Sequence, residues 1–171
     1  MMTETVVTVE QPAQRQHAGQ QQAKPDASLT WLQFNVNYFK TIPGILKLVQ
    51  LILGILCMSL ASPAFLSGTH WFLFVAVSSF IATLLWTFVY LLGIREVLNL
   101  PINWILTELF NTGLATVFYF IAFIVQLSVW SGYSGYAKGA NVAAGVFGIF
   151  NTFAYAAGTY FLYLEHKSTG V

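Results

Sequence analysis

NYFKTIPGILKLVQLILGIL, residues Asn37–Leu56, carries the pattern that decides the fold: an aromatic and basic step, a Pro-Gly pair, then an apolar run. A helix accepts proline in its first turn, where the amide has no partner anyway. Lys40, Pro43 and Gly44 therefore predict the interfacial start of a membrane-spanning helix. Lys47 lies about one turn inside the apolar run, where its long side chain can extend back to the headgroups.

The rest of the chain repeats this apolar character three more times. The sequence has 171 residues, of which 57% are hydrophobic and only 8% charged, whereas soluble domains are about 25% charged. A spanning helix needs roughly 20 apolar residues. We therefore predict an all-α membrane protein, a four-transmembrane-helix bundle over residues 31–167 with short loops and a C-terminal tail, 168–171. The predicted spans are about 45–66, 71–94, 104–130 and 142–164.

The first thirty residues differ sharply from this bundle. Residues 1–30 are polar and rich in Gln, Ala, Thr and Pro, which predicts a disordered tail. The tail has no apolar h-region, so we expect the first span to act as the insertion signal. Trp31, Phe34, Tyr38 and Phe39 then follow at helix-like spacing, which favours a short amphipathic helix on the membrane surface over a simple linker.

The positive charges predict the orientation. Six of the seven Lys and Arg residues fall on the side of the tail, and only Lys138 lies in the two opposite loops. Because positive residues accumulate in cytoplasmic segments, we expect both termini in the cytoplasm.

Each predicted span has one face of small or polar residues. Spanning helices associate through such faces, since lipid is as apolar as leucine. In the third span the stripe passes through Asn111 or Thr112, and the fourth has small residues four apart. The residues expected to pack inside the bundle are Gln50, Gly54, Asn111, Ala115, Gln126, Ala144, Gly148 and Gly158.

Two charges interrupt these stripes at similar depth. Lys47 and Glu108 each stand four residues after an interfacial start, at Pro43 and Trp104. Because an unpaired intramembrane charge is costly, we expect the two to pair across the bundle. The alternative is a small transporter or channel subunit, in which Lys47, Glu108, Gln50 and Gln126 would form a polar path.

No pattern in the sequence supports catalysis or a cofactor. The three histidines, His17, His70 and His166, are scattered over both sides of the predicted bundle, and Cys57 is the only cysteine, so no metal site is expected. No Ser/His/Asp or Cys/His set falls at one depth. A net charge of +1 provides no phosphate-binding patch for nucleic acid.

Two weak motifs suggest partners. Cholesterol-type patterns occur at 85–95 and 127–138, but such loose patterns are common in chains rich in Leu, Val and Tyr. The final residues, Thr169–Val171, fit the Thr-x-Val end of peptides that add a strand to PDZ domains, although three residues match readily by chance.

The quoted stretch YFKTIPGILKLVQLILGIL, with its Leu53-Gly54 pair, resembles the start of a MARVEL domain, and within that family the chemokine-like factor-like MARVEL transmembrane proteins. LFNTGLATVFYFIAFIVQ and FNTFAYAAGTYFLYLEHKS are similar to the later spans. The resemblance implies a non-enzymatic membrane organiser in vesicle trafficking, membrane apposition, or the surface delivery or retention of other integral membrane proteins. We also expect a plasma-membrane, endosomal or secretory-vesicle location and, as partners, other integral membrane proteins and the lipid bilayer, with cholesterol-rich bilayers as one candidate.

Overall fold

The computed structural model of the chain describes residues 36–98 and 100–170, which lie in one compact unit, Trp31–Val171. The expected tail at 1–30, most of the expected amphipathic segment, and Val171 of the PDZ-type ending lie outside the described residues. A short 3-10 helix, Val36–Lys40, precedes five α-helices. They are α1 Ile42–Leu60, α2 Ser67–Leu91, α3 Ile94–Val97, α4 Trp104–Ser131 and α5 Lys138–Ser168.

Four of these helices are long and apolar enough to cross a membrane. α1, α2, α4 and α5 contain 19, 25, 28 and 31 residues. At 1.5 Å per residue, even α1 nearly matches the roughly 30 Å hydrocarbon core. The prediction of an all-α, four-span membrane protein is confirmed.

The four long helices form a ring in which each packs against two neighbours. α1 contacts α2 and α5, and α4 contacts the same two helices, so α1 faces α4 and α2 faces α5 across the bundle. The most extensive contact joins α4 to α5. Small residues on α5 permit it: a Cβ added at Gly145 would lie 2.6 Å from Leu127 Cδ2, which is too close for two carbon atoms.

The helix ends correct several predicted span boundaries. The first span was expected to reach residue 66, but α1 ends at Leu60; Pro63 follows closely, and the residue before a proline avoids helical angles. α2 runs from Ser67 to Leu91 rather than over 71–94, because Gly93 turns the chain with a φ of 61°. α5 extends beyond 142–164 at both ends, since its polar end residues are compatible with a helix in the interface.

The start of α1 is built by the residues that the sequence places there. The Thr41 side chain accepts a hydrogen bond from the Gly44 amide (3.4 Å) and caps the helix, with Pro43 in the first turn. A Cβ on Gly44 would lie 2.1 Å from the Tyr38 carbonyl oxygen. Glycine at 44 thus lets the 3-10 helix, which ends at Lys40, fold directly against α1.

Candidate functional site

A buried charged pair lies at one end of the bundle, where α1 and α4 begin and α2 and α5 end; we call this the terminal end. Lys47 of α1 donates from Nζ to Glu108 Oε1 of α4. Lys47 is 7% exposed and Glu108 is fully buried. The lysine side chain therefore points into the bundle rather than back to the headgroups.

Tyr90, near the end of α2, donates a second hydrogen bond to this carboxylate. Its hydroxyl donates to Glu108 Oε2, so that each oxygen of Glu108 accepts a hydrogen bond from a different helix. Lys47 Nζ also lies 5.3 Å from the centroid of the Tyr90 ring, within range of a cation–π contact. Two charged hydrogen bonds and an aromatic face together offset the cost of burying the charges.

Arg95 and Tyr38 extend the cluster toward the surface. Arg95 Nη1 donates to the Tyr90 hydroxyl at 3.4 Å, and the guanidinium lies 5.5 Å from the ring centroid. The Tyr38 ring stacks on Tyr90 with 4.3 Å between centroids and 5° between planes. Burial raises the pKa of Tyr38, and the Glu108 and Glu165 carboxylates raise it further, whereas Arg95 lowers it. Tyr38 therefore remains a neutral phenol at physiological pH.

Sequence reasoning missed Tyr38, Tyr90 and Arg95 as members of this cluster. A signal for Tyr90 was present: the buried stripe Ser79, Thr83, Thr87 repeats every four residues, and Tyr90 continues it three residues later. Arg95 lies beyond the end of α2, in α3, where no helical periodicity places it.

A second polar layer lies near the middle of the bundle. Gln50 Nε2 of α1 donates to the Ala154 carbonyl of α5 at 3.1 Å. The Tyr155 hydroxyl of α5 donates to the Ser79 carbonyl at 3.2 Å and contacts Thr83 Oγ1 at 2.7 Å, both on α2. These contacts join helices rather than leaving polar groups open to a ligand.

A third polar layer lies at the opposite end, which we call the loop end. Gln126 Nε2 donates to both the side-chain and backbone oxygens of Asn141 at 3.1 Å. Trp130 Nε1 donates to Thr69 Oγ1 at 2.7 Å. α4 is thereby tied to α5 and to α2.

Most of the other predicted packing residues face the interior. The stripe on α4 passes through Thr112, which is buried, while Asn111 is only half-buried and lies in a groove between α2 and α4. The buried members of the predicted set, besides those already placed, are Gly54, Ala115, Ala144, Gly148 and Gly158.

A packed cluster of buried side chains, which includes Tyr119 and Tyr155, extends from the middle of the bundle toward the loop end. Phe72 and Val75 of α2 are at most 1% exposed and pack in one cluster with small residues of the other three spans. Those small residues are Cys57, Ala115, Ala122 and Ala144. Within residues 36–98 and 100–170, no three His, Cys, Asp or Glu side chains come close enough to hold a metal ion.

Comparison with known proteins places the chain in a family. A family model described as the membrane-associating domain, MARVEL, matches residues 38–161, a range that includes Lys47, Tyr90 and Glu108. Zebrafish (Danio rerio) plasmolipin is 30% identical over 140 residues, which cover 80% of this chain and 79% of plasmolipin. No solved structure matches the chain significantly. The family match covers most of the bundle, and this multi-pass membrane protein therefore belongs to the MARVEL family.

Proposed function

We propose that the protein is a non-enzymatic membrane organiser that acts laterally on lipids and on other integral membrane proteins. It would act in vesicle trafficking, in membrane apposition, or in the delivery and retention of other membrane proteins at the cell surface. The proposal rests on membership of the MARVEL family and on the way the bundle uses its polar groups.

The closed interior is the observation that carries this proposal. Lys47 and Glu108 neutralise each other, and Gln50 and Gln126 bond to neighbouring helices. A transporter or channel subunit would need these groups to line a continuous wet path. Between the middle of the bundle and the loop end, Phe72 and Val75 pack with small residues of the other three spans, which leaves little room for such a path. The polar groups therefore favour helix association over conduction.

The outer surface supports a lateral role. Each span exposes large apolar side chains away from the bundle, such as Ile52 of α1, Phe74 of α2, Phe110 of α4 and Phe153 of α5. Phe110 and Phe153 are 68% and 69% exposed. Such a surface can contact acyl chains or the spans of partner proteins without disturbing the packed interior.

The proposed placement follows from the charges. With six of seven basic residues on the terminal side, both termini would lie in the cytoplasm, and the buried pair would lie near the inner leaflet. The membrane would be the plasma membrane or that of endosomal and secretory vesicles.

Proximity labelling in cells with and without the gene tests this function. We expect the labelled membrane proteins to change their surface levels when the gene is deleted and to recover with the wild-type chain. The double variant Phe110→Ala/Phe153→Ala alters only the outer surface and should restore less, whereas Val97→Ala, exposed but outside the spans, should restore fully. Unchanged surface levels, or substrate-dependent flux in proteoliposomes that is lost in Lys47→Met/Glu108→Gln, would overturn the proposal.

A further inference from the structure

A cavity of about 460 Å³ opens at the terminal end, beside the buried charged pair but not filled by it. Its size falls within the range of ligand pockets, about 300–1,000 Å³. Tyr38 and Tyr90 form an aromatic wall, and Arg95, Glu96 and Glu165 bring one positive and two negative charges to the lining. The cavity is thus bordered by both signs of charge.

Arg95 supplies a cation whose contacts, among the described residues, are confined to Tyr90. The guanidinium carries five N–H donors, and among the described residues it makes one side-chain hydrogen bond, to the Tyr90 hydroxyl, which is long at 3.4 Å. Among residues 36–98 and 100–170, no carboxylate lies within salt-bridge distance of it. A planar fork of free donors is well suited to a phosphate group.

Two glutamates, Glu96 and Glu165, supply the negative charges of the cavity lining. Glu96 follows Arg95 in α3, and Glu165 approaches from the last turn of α5. Across the part of the chain that the structure describes, neither carboxylate has an ion-pair partner. They disfavour a ligand that carries only negative charge and favour one that also carries an ammonium group. Tyr38, held neutral, adds no charge of its own.

The depth of the cavity points to a lipid as the source of such a ligand. Its walls are the start of α1, the end of α2, α3 and the end of α5. Spanning helices end where the hydrocarbon core gives way to the headgroups. A phosphate that is joined to an ammonium by a short linker is present at this level in every zwitterionic phospholipid.

We propose that this cavity binds the phosphoethanolamine headgroup of a phospholipid, with the phosphate on Arg95 and the primary ammonium between Glu96 and Glu165. A primary ammonium can donate hydrogen bonds to the two carboxylates, whereas a trimethylated choline cannot. The proposed site depends only on the residues that line the cavity. It is therefore independent of the proposed role in trafficking.

Native mass spectrometry of the full-length protein in detergent tests the site. Phosphatidylethanolamine, phosphatidylcholine and phosphatidylglycerol are supplied in equal amounts, and we expect phosphatidylethanolamine to be retained preferentially. Arg95→Gln should weaken that retention about tenfold, as expected for the loss of a charged hydrogen bond. Glu96→Gln/Glu165→Gln should instead shift preference to phosphatidylglycerol. Lys138→Gln, which removes a charge at the loop end, should change neither result.

Thermal unfolding of each variant shows that it is folded before lipid retention is compared. An unchanged lipid preference in the folded Glu96→Gln/Glu165→Gln variant would overturn the proposal, as would equal retention of the three lipids by the wild type. Free phosphoethanolamine and inorganic phosphate are added as competitors. Weak competition by both supports a lipid ligand, whereas full displacement by either at the lipid's concentration would show a soluble ligand and overturn the lipid assignment.

Discussion

Lys47 and Glu108 join α1 to α4 across the diagonal of the bundle, although these two helices are not neighbours in the ring. Tyr155 does the same for α5 and α2 through the Ser79 carbonyl and the Thr83 hydroxyl, nearer the middle. Polar contacts also join ring neighbours, such as Gln126 to Asn141 and Trp130 to Thr69, but both diagonals are closed by polar side chains. Because hydrogen bonds and ion pairs are directional, these diagonals set which faces turn inward.

Removing one member of the charged pair should destabilise the bundle strongly. Lys47→Met leaves Glu108 charged and buried with only the Tyr90 hydroxyl as donor, and Glu108→Gln leaves the Lys47 cation without its counter-charge. Each should lower the free energy of unfolding by about 3 kcal/mol, as for other broken buried pairs. The double variant buries no charge and should recover most of this loss.

Thermal unfolding in detergent, monitored by size-exclusion chromatography, measures these differences. Lys40→Met removes an exposed lysine at the same end of the bundle and serves as the matched control, with an expected change close to zero. A double variant no more stable than either single variant would show that the two charges do not act as a pair.

Gly158 should be intolerant of even one added methyl group. A Cβ there would lie 2.9 Å from Gln50 Nε2, and Gln50 would lose its hydrogen bond to the Ala154 carbonyl. We expect Gly158→Ala to lower stability by about 1 kcal/mol, the order of one interhelical hydrogen bond in a membrane. In a Gln50→Ala background the same substitution should cost much less, since the obstructing side chain is gone.

Gly139→Ala is the control for this experiment, because nothing lies within 4 Å of a Cβ at that position. Alanine has the higher helix propensity, so Gly139→Ala should be neutral or slightly stabilising. Equal losses for Gly158→Ala with and without the Gln50 side chain would exclude the steric explanation.

The sequence alone predicted the four spans and most of their inward faces, because apolar runs and small or polar stripes both arise directly from the bilayer as solvent. Span ends were less predictable. Pro63 is a sequence signal for an earlier end of α1, but residues 61–66 are still mostly apolar, so hydropathy alone extends the predicted span past Leu60. The choice between Asn111 and Thr112 depends on a rotation of about 100° per residue, which a stripe with two adjacent polar residues leaves open.

The cluster at the terminal end of the bundle could be predicted from the sequence only in part. Lys47 and Glu108 were found because a charge inside a span stands out. Tyr90 did not stand out, since tyrosine near a span end is common in the interfacial aromatic belt. The position of Tyr38 depends on the 3-10 helix folding back over Gly44, and that of Arg95 on the turn at Gly93. Both are three-dimensional consequences of local backbone geometry.

Loss of the Tyr155 hydroxyl should weaken the second diagonal. Tyr155→Phe retains the ring, which stacks on Tyr119 with centroids 5.3 Å apart, but removes the contacts with Ser79 and Thr83. We expect a loss of about 1 kcal/mol in the free energy of unfolding, measured by denaturation in mixed detergent. Tyr160→Phe, on a side chain that is 59% exposed, is the control and should unfold like the wild type.

Two tryptophans at the loop end differ in their hydrogen bonding. Trp130 Nε1 donates to Thr69 Oγ1 at 2.7 Å, and both residues are fully buried. Trp71 Nε1 is also buried but has no hydrogen-bond partner among the described residues. Each Trp→Phe substitution removes one N–H group, but Trp130 is fully buried whereas Trp71 is only partly buried, so the Trp130 variant also loses more packing. Trp130→Phe should therefore be less stable than Trp71→Phe by at least about 1 kcal/mol, because it breaks a hydrogen bond as well and leaves Thr69 unpaired. Parallel thermal melts provide this comparison. If Trp71→Phe proved the more destabilised of the two, packing rather than the hydrogen bond to Thr69 would hold α4 against α2 at this end.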